Sequence, residues 1–408
     1  MSGSPPTCAG PENVSSRRPY PLLSLRLGAA SRYGFSVGRL SLRRVLRWCA
    51  YVLAAAALLS LLSTTDAGAV GATLRKVGPL APLALVPLAL QIVLEAVSWR
   101  LLLGRLGHCV GLAVACRVNA QAEAIRLGLP GGPPLADAMR PILFARLRAV
   151  PLGDAATSLV VRKLCQISTQ GVYVGMGAIL GAALFERWIR SLGPAGRALP
   201  IVAFAAAAGL VMTAVLAGSM LSHGALASRT ERLLARLTRG RLSSCLEARR
   251  ASFAALDGRL RTLLSRSPST LSWNLLTGLG GWLLDAAETF LVLHLVGFPV
   301  GPAEALGVEA LVSVVRIGAF VVPGGLGIQD LTYHALLQGT VSDAASMSLI
   351  LLKRGRDVFW VATGFALPLL DRLFFRPSVS SGAEPSPAVV PALDGLAAGS
   401  APPVSPRA

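Results

Sequence analysis

Charged residues are scarce in this chain of 408 residues: only 14% are Asp, Glu, Lys or Arg, whereas 53% are hydrophobic. Soluble domains carry about a quarter charged residues, because they expose most of their surface to water. So little charge over this length excludes a soluble globular protein and predicts an integral membrane protein. We expect an all-α polytopic fold.

Acidic residues are fewer still, with 20 against 39 basic residues, of which only three are lysines, and a net charge of +19. Basic residues concentrate on the cytoplasmic side of membrane proteins, so we interpret the excess of basic residues as marking the segments that face the cytoplasm. Aromatic residues make up 6% and are nearly absent from the arginine-rich segment, so we expect no nucleic-acid partner. The six cysteines form no CxxC pair, and we expect no disulfide framework, no metal site and no cofactor.

Composition divides the chain into three parts. Residues 1–44 predict a basic, disordered cytoplasmic leader, 45–375 a transmembrane domain and 376–408 a disordered tail. Within the transmembrane domain, 222–268 predict an arginine-rich cytoplasmic loop that rests on anionic lipid headgroups. A short loop over 66–76 is expected after the first span. Six apolar runs predict spanning helices, at 48–63, 80–103, 155–185, 199–221, 271–296 and 341–370.

Two Pro-Gly-Gly breaks interrupt otherwise apolar sequence, at Pro130 and at Pro323. Proline ends the arriving helix and paired glycines let the chain reverse, so each break predicts a re-entrant hairpin. Asp137 and Asp330 each follow the proline by seven residues, and a long helix with two adjacent basic residues comes next in both copies. Such paired interruptions point to two structural repeats with a site between them. The alternative is a tight turn at the membrane surface.

The basic segments also predict an orientation. With the leader and the arginine-rich loop inside, the first hairpin enters from the cytoplasm and the second from the opposite side. The two repeats are then inverted, and both termini are cytoplasmic. This topology has about six spanning helices and two re-entrant hairpins. If either hairpin crosses the membrane fully, the count rises to seven or eight and the symmetry argument weakens.

Polar residues recur at helical spacing on three of the predicted spans, among them Gln91, Glu95 and Ser98 on the second. Such stripes must face protein or water. A charge at the bilayer centre costs about 2.5 to 3.5 kcal/mol, so the buried charges serve pairing or function. Pairing alone, as internal salt bridges, is one interpretation. The other is a polar cavity of net positive character that binds a phosphate-bearing headgroup.

No nucleophile, metal cluster or nucleotide loop is recognisable, and we assign no catalytic residue. Tyr333 and His334 could do acid-base chemistry, but a single histidine on a membrane helix is more often a hydrogen-bonding residue. The predicted substrate-binding residues are those at the two breaks and the buried polar side chains around them: Arg126, Gly131, Gly132, Asp137, Arg140, Arg162, Lys163, Gln166, Asp285, Glu288, Arg316, Pro323, Gly324, Gly325, Gln329, Asp330, Tyr333, Lys353 and Arg354.

Three stretches resemble a known family: the break at 126–140, PLGDAATSLVVRKLCQ at 151–166, and VPGGLGIQDLTYHALL at 322–337. Over about residues 45–375 the chain resembles the lysylphosphatidylglycerol synthase transmembrane region, a flippase-like domain found with or without an aminoacyltransferase domain. The resemblance implies a multi-span protein of the bacterial inner membrane that handles lipids; stand-alone members include one associated with hopanoid biosynthesis. Only a short tail follows residue 370, so we do not expect aminoacyl transfer by this chain.

Three hypotheses of function follow. The leading one is that the protein binds a lipid with an anionic headgroup and moves it between the leaflets of the membrane. The second is a membrane-embedded transferase acting on phosphatidylglycerol, with Tyr333, His334 or Asp330 as the acid-base group. The third is a non-catalytic partner that recruits lipid-biosynthesis enzymes through the arginine-rich loop.

Overall fold

The computed structural model describes residues 66–148, 150–181, 193–222, 268–319 and 322–374, together with a few further positions. The leader, most of the predicted first span, most of the arginine-rich loop and the tail after residue 374 lie outside these residues.

All regular elements in the described ranges are helical. Two of them are 3₁₀ segments, Gly78–Leu85 and Pro323–Gly325. The α-helices are, in chain order, α1 Ala67–Val77, α2 Val86–Arg105, α3 Leu112–Gly128, α4 Gly132–Arg148, α5 Leu152–Leu180, α6 Pro194–Ser222, α7 Pro268–Leu295, α8 Pro302–Gly318, α9 Ile328–Leu337 and α10 Asp343–Phe374.

Three segments of the described chain are long and apolar enough to cross a membrane: Ala67–Arg105, Arg197–Ser219 and Pro268–Leu295. They correspond to the second, fourth and fifth predicted spans. Helices α5 and α10 have 29 and 32 residues and are also long enough, at about 1.5 Å per residue. Both carry charged residues in their interior, which lowers their hydropathy. The chain is an all-α polytopic membrane protein.

The predicted loop over 66–76 is wrong, because these residues open helix α1. Asp66 is the N-cap of that helix, and its carboxylate accepts hydrogen bonds from the backbone N–H groups of Gly68 at 2.8 Å and Ala69 at 3.3 Å. Two prolines then remove backbone donors, so the 3₁₀ segment Gly78–Leu85 joins α1 to α2.

The two halves of the chain share their local geometry. Helices α2 and α7 end in the same glycine turn, in which the N–H of His108 bonds the carbonyl of Leu103 and the N–H of Phe298 that of Leu293, both at 2.9 Å. Each turn contains a glycine at positive φ, of 85° and 89°. The helices that follow, α3 and α8, have 17 residues each and run into the two Pro-Gly-Gly breaks. The repeat therefore extends well beyond the breaks themselves.

Each break reverses the chain where only glycine fits. At the first, a Cβ on Gly132 would lie 2.2 Å from the carbonyl oxygen of Arg126. At the second, Gly324 has a φ of 57°, and a Cβ there would lie 3.3 Å from the carbonyl oxygen of Leu127, so the two breaks adjoin. A 17-residue arm is about 25 Å long, shorter than the hydrocarbon core of about 30 Å, which favours hairpins that enter and leave on one side.

Helix α5 lies at the centre of the fold and packs against α2, α4, α6, α7 and α8. Contact between α2 and α7 joins the two repeats. Small residues permit the close approach of α5 to α8, because a Cβ on Gly177 of α5 would lie 2.3 Å from the Cβ of Ala310 of α8. The part of the chain up to Leu367 is one compact unit and holds every residue discussed below.

Candidate functional site

A cavity of about 340 Å³ lies where the two repeats meet. Helices α2, α3, α4, α5, α7 and α8 all contribute to its wall. Five of the residues that line it are cationic and four are anionic: Arg126, Arg140, Arg162, Lys163 and Arg316, with Glu95, Glu123, Asp137 and Asp285. Uncharged polar residues complete the polar lining: Gln91, Ser98, Gln166, Gln170, Asn274, Thr277 and Ser313.

A network of ion pairs covers the wall formed by the first repeat. Buried Arg140 donates to Glu95 at 3.1 Å and to Asp137 at 2.7 Å. The other oxygen of Glu95 pairs with Arg162 at 2.7 Å, and the other oxygen of Asp137 pairs with Lys163 at 2.7 Å. Two carboxylates thus bridge three cations from α4 and α5, which fixes these helices against α2.

Two arginines at the ends of the entering arms complete the charged lining. Arg126 of α3 pairs with Glu123 on the same helix, with 2.7 Å between Nε and Oε2. Arg316 of α8 donates to Asp285 of α7 at 3.1 Å. Its other terminal nitrogen lies 3.6 Å from Glu309. Arg126 and Arg316 hold corresponding positions in the two repeats and both reach the same cavity.

The three most exposed charges of the cavity are cations. The exposed fraction of the side chain is 36% for Lys163, 28% for Arg126 and 26% for Arg316. The four lining carboxylates are exposed by 20% or less. Lys163, Arg126 and Arg316 are therefore the charges most open to a bound group, whereas Arg140 and Arg162, at 4% and 8%, are buried in the ion-pair network.

The second break is stabilised by a salt bridge of its own. Asp330 is buried, and both Nε and Nη2 of Arg354 donate to it, at 3.0 and 2.6 Å. Its second oxygen accepts the backbone N–H of Gly327 at 2.9 Å, and Arg354 also donates to the carbonyl of Gly324 at 3.0 Å. The Gln329 amide, oriented so that both its groups are satisfied, connects that carbonyl to Arg316 through contacts of 3.1 Å.

The ion pairs repeat with the fold. In each half, the aspartate that follows the break pairs with the second of two adjacent basic residues, Asp137 with Lys163 and Asp330 with Arg354. The first basic residue of each pair contacts a glutamate of another helix. Arg162 contacts Glu95 of α2, and Lys353 contacts Glu309 of α8 at 2.7 Å and Glu288 of α7 at 3.5 Å.

The structure divides the predicted binding residues into two sets. Eight of them line the cavity: Arg126, Asp137, Arg140, Arg162, Lys163, Gln166, Asp285 and Arg316. The others lie at the breaks or in the interior of the second repeat and do not line it: Gly131, Gly132, Glu288, Pro323, Gly324, Gly325, Gln329, Asp330, Tyr333, Lys353 and Arg354.

Several lining residues were not among the predicted binding residues. Glu95 forms ion pairs with Arg140 and Arg162, and the hydroxyl of Ser98 of α2 donates a hydrogen bond to Asn274 of α7. Gln91 donates to the carbonyl of Gly281 at 3.3 Å. The polar stripes on α2 and α7 carried the signal for these residues, because a stripe on a membrane helix must face a polar partner.

The family model for the lysylphosphatidylglycerol synthase TM region matches residues 47–365. The chain belongs to this family. The matched range includes both repeats and every residue of the cavity. Among curated proteins the chain has no significant match. Membership in the lysylphosphatidylglycerol synthase TM region family confirms the resemblance found in the two break motifs and supports a membrane protein of lipid metabolism or transport.

Proposed function

We propose that this protein moves a lipid with an anionic headgroup between the leaflets of the membrane. The observation that supports it is the cavity surface, on which the three most exposed charged side chains, Lys163, Arg126 and Arg316, are all cations. Phosphate groups are bound by such arrangements, because arginine donates in a planar fork and lysine supplies a compact charge. The headgroup enters this cavity while the acyl chains stay in the bilayer.

The size and the apolar part of the cavity fit a headgroup with attached chains. A volume of about 340 Å³ suits a small polar group. Apolar side chains share the lining, among them Leu88, Ile92 and Ile317. Ile317 is 49% exposed, so part of this apolar lining is open. Acyl chains can follow this surface without leaving hydrocarbon.

The repeat supplies a mechanism for reaching both leaflets. The cavity lies against the ion network of the first repeat, whereas Arg354 and Asp330 close the corresponding position in the second. In proteins built from inverted repeats, the two halves exchange conformations and expose one central site alternately to each side. We infer a second state in which the Arg354–Asp330 pair opens and the first repeat closes around Arg140.

The proposed setting is the inner membrane of a bacterium, with both termini in the cytoplasm. The arginine-rich loop over 222–268 would then bind anionic headgroups of the cytoplasmic leaflet. A transferase is less well supported, because none of its three candidate groups lines the cavity. Tyr333 donates to Glu309, Asp330 pairs with Arg354, and His334 lies 3.0 Å from the hydroxyl of Ser346.

Reconstituted liposomes test the proposal. The purified protein is inserted into vesicles that contain acyl-labelled phosphatidylglycerol, a polyprenyl phosphate, a hopanoid or, as matched zwitterionic control, phosphatidylcholine. Loss of the label to a membrane-impermeant quencher reports transfer between leaflets. We expect acceleration for at least one phosphate-bearing anionic lipid and little for phosphatidylcholine. No acceleration of any lipid, or equal acceleration of all, would contradict the proposal.

A further inference from the structure

Behind Arg316, away from the cavity, lies a second group of buried charges that headgroup binding does not use. Glu309 of α8 is at its centre and is 1% exposed. Its Oε1 accepts hydrogen bonds from Thr289, from the Tyr333 hydroxyl at 2.5 Å and from Lys353 at 2.7 Å. Its Oε2 is buried and accepts no hydrogen bond from the described residues, and a terminal nitrogen of Arg316 lies 3.6 Å from it.

Glu288 of α7 has the same incomplete environment. One of its oxygens contacts Arg356 and lies 3.5 Å from Lys353, and the other, Oε1, is buried and has no hydrogen bond from the described part of the chain. Two buried carboxylates therefore share the ammonium of Lys353, and each keeps one unsatisfied oxygen. A buried carboxylate oxygen without a donor is unfavourable, and a proton on that oxygen removes the charge that causes the cost.

Arg316 connects this cluster to the cavity. One terminal nitrogen donates to Asp285, which lines the cavity, and the other faces Glu309 in the cluster. An anionic group that enters the cavity attracts Arg316 and competes with Glu309 for its positive charge. Glu309 then keeps the ion pair with Lys353, which it shares with Glu288.

We propose that Glu309 binds a proton when an anionic headgroup occupies the cavity, so that lipid movement is coupled to a proton gradient. The proton comes from a hydronium ion of the aqueous phase, whose O–H bond breaks to leave a water molecule, and it forms an O–H bond at Oε2, which turns the carboxylate into a neutral carboxylic acid. The headgroup brings one negative charge and the proton one positive charge, so the buried charge of the complex does not change. This balance lowers the cost of carrying the headgroup through the low-dielectric interior. The inference rests on the proposed function.

The other ionisable groups around Glu309 come from helices α5, α7, α8, α9 and α10. They are Asp285 and Glu288 on α7, Arg316 on α8, Tyr333 on α9, Lys353 and Arg356 on α10, and Tyr173 on α5, whose buried hydroxyl makes no hydrogen bond. Two of them, Arg316 and Asp285, also line the cavity. Of the two carboxylates that do not line the cavity, Glu309 is the one that Arg316 faces, whereas Glu288 contacts Lys353 and Arg356.

Proton uptake on lipid binding tests this inference without transport. Dihexanoyl phosphatidylglycerol is added to the full chain in detergent and weak buffer with a pH indicator, and binding is measured in parallel by calorimetry. We expect uptake of about one proton per bound lipid, and an affinity that weakens about tenfold for each unit of rising pH. Glu309→Gln keeps the shape and the acceptor oxygen, and we expect it to bind the lipid with almost no uptake. Asp343→Asn removes an exposed carboxylate at the start of α10 and should behave as the wild type.

The outcomes separate the two proposals. Binding by the wild-type protein without proton uptake overturns the coupling and leaves lipid translocation standing. Uptake that persists in Glu309→Gln overturns the assignment to Glu309. If the protein binds neither phosphatidylglycerol nor a short polyprenyl phosphate at any pH, both proposals fail. The wild-type proton count decides the coupling by itself, so the result does not depend on how well the variant folds.

Discussion

Replacing Arg316 by glutamine is expected to slow lipid translocation by about tenfold to a hundredfold. A hydrogen bond from a charged donor contributes about 1.5 to 3 kcal/mol, and each 1.4 kcal/mol is about a factor of ten. Arg316 is one of the three exposed cations of the cavity, and its fork reaches Asp285 on one side and Glu309 on the other. The rate of label loss in reconstituted liposomes, at equal protein content, measures the effect.

A charge-balanced double variant distinguishes headgroup binding by Arg316 from a purely structural role of its ion pair with Asp285. Arg316→Gln alone leaves Asp285 without its cation, and an unpaired buried charge costs about 3 to 5 kcal/mol of stability. Combining it with Asp285→Asn removes both members of the pair. If Arg316 only holds α7 and α8 together, the double variant regains transport; if it binds the headgroup, transport stays low although the protein is stable. Arg75→Ala, an exposed arginine on α1, is the matched control and should transport normally.

The second prediction concerns the inverted repeat and has an all-or-none readout. Cys109 lies exposed in the glycine turn between α2 and α3. Pro299 holds the corresponding place in the turn between α7 and α8 and is also exposed. With the other five cysteines replaced, we expect a membrane-impermeant thiol reagent to label Cys109 from the cytoplasmic side. A Pro299→Cys variant that also lacks Cys109 should be labelled from the opposite side.

The two positions make a strict comparison, because both turns have the same backbone geometry. Labelling in opened membranes, where both sides are accessible, serves as the control for reactivity. Labelling of both positions from one side would show that the repeats are parallel and would remove the basis for alternating access.

The repeat could be predicted from the sequence because local chemistry determines it. Proline and glycine restrict the backbone in ways that do not depend on the rest of the fold. The spacing of seven residues from Pro130 to Asp137 and from Pro323 to Asp330 is likewise visible in the sequence. Helix α9 accordingly begins at Ile328, just after the second break at Pro323–Gly325.

Asymmetry between the two repeats could not be predicted. Lys163 and Arg354 hold corresponding positions in the sequence repeat, but Lys163 lines an open cavity, whereas Arg354 forms a salt bridge with Asp330. Which copy is open depends on how the helices pack, and that is a property of the whole chain. Glu309 was missed for the same reason, since its partners come from α7, α9 and α10.

Helix α1 shows a different kind of error. Its sequence AGAVGATLRKV contains two glycines, which favour a loop on propensity. The signal for a helix was Asp66, whose carboxylate caps the first turn. The apolar stretch that follows then continues it through the 3₁₀ segment Gly78–Leu85 into α2.

Photochemical crosslinking of the headgroup is the most direct test of the claim that it passes through the cavity. A phosphatidylglycerol with a diazirine on its headgroup is activated in vesicles that contain the protein, and the modified peptides are identified by mass spectrometry. We expect adducts on cavity residues such as Gln166 and Thr277, and far fewer of them in Arg316→Gln. Headgroup adducts found only on outward surfaces, such as Met212 and Val215 of α6, at 61% and 63% exposure, would contradict the account.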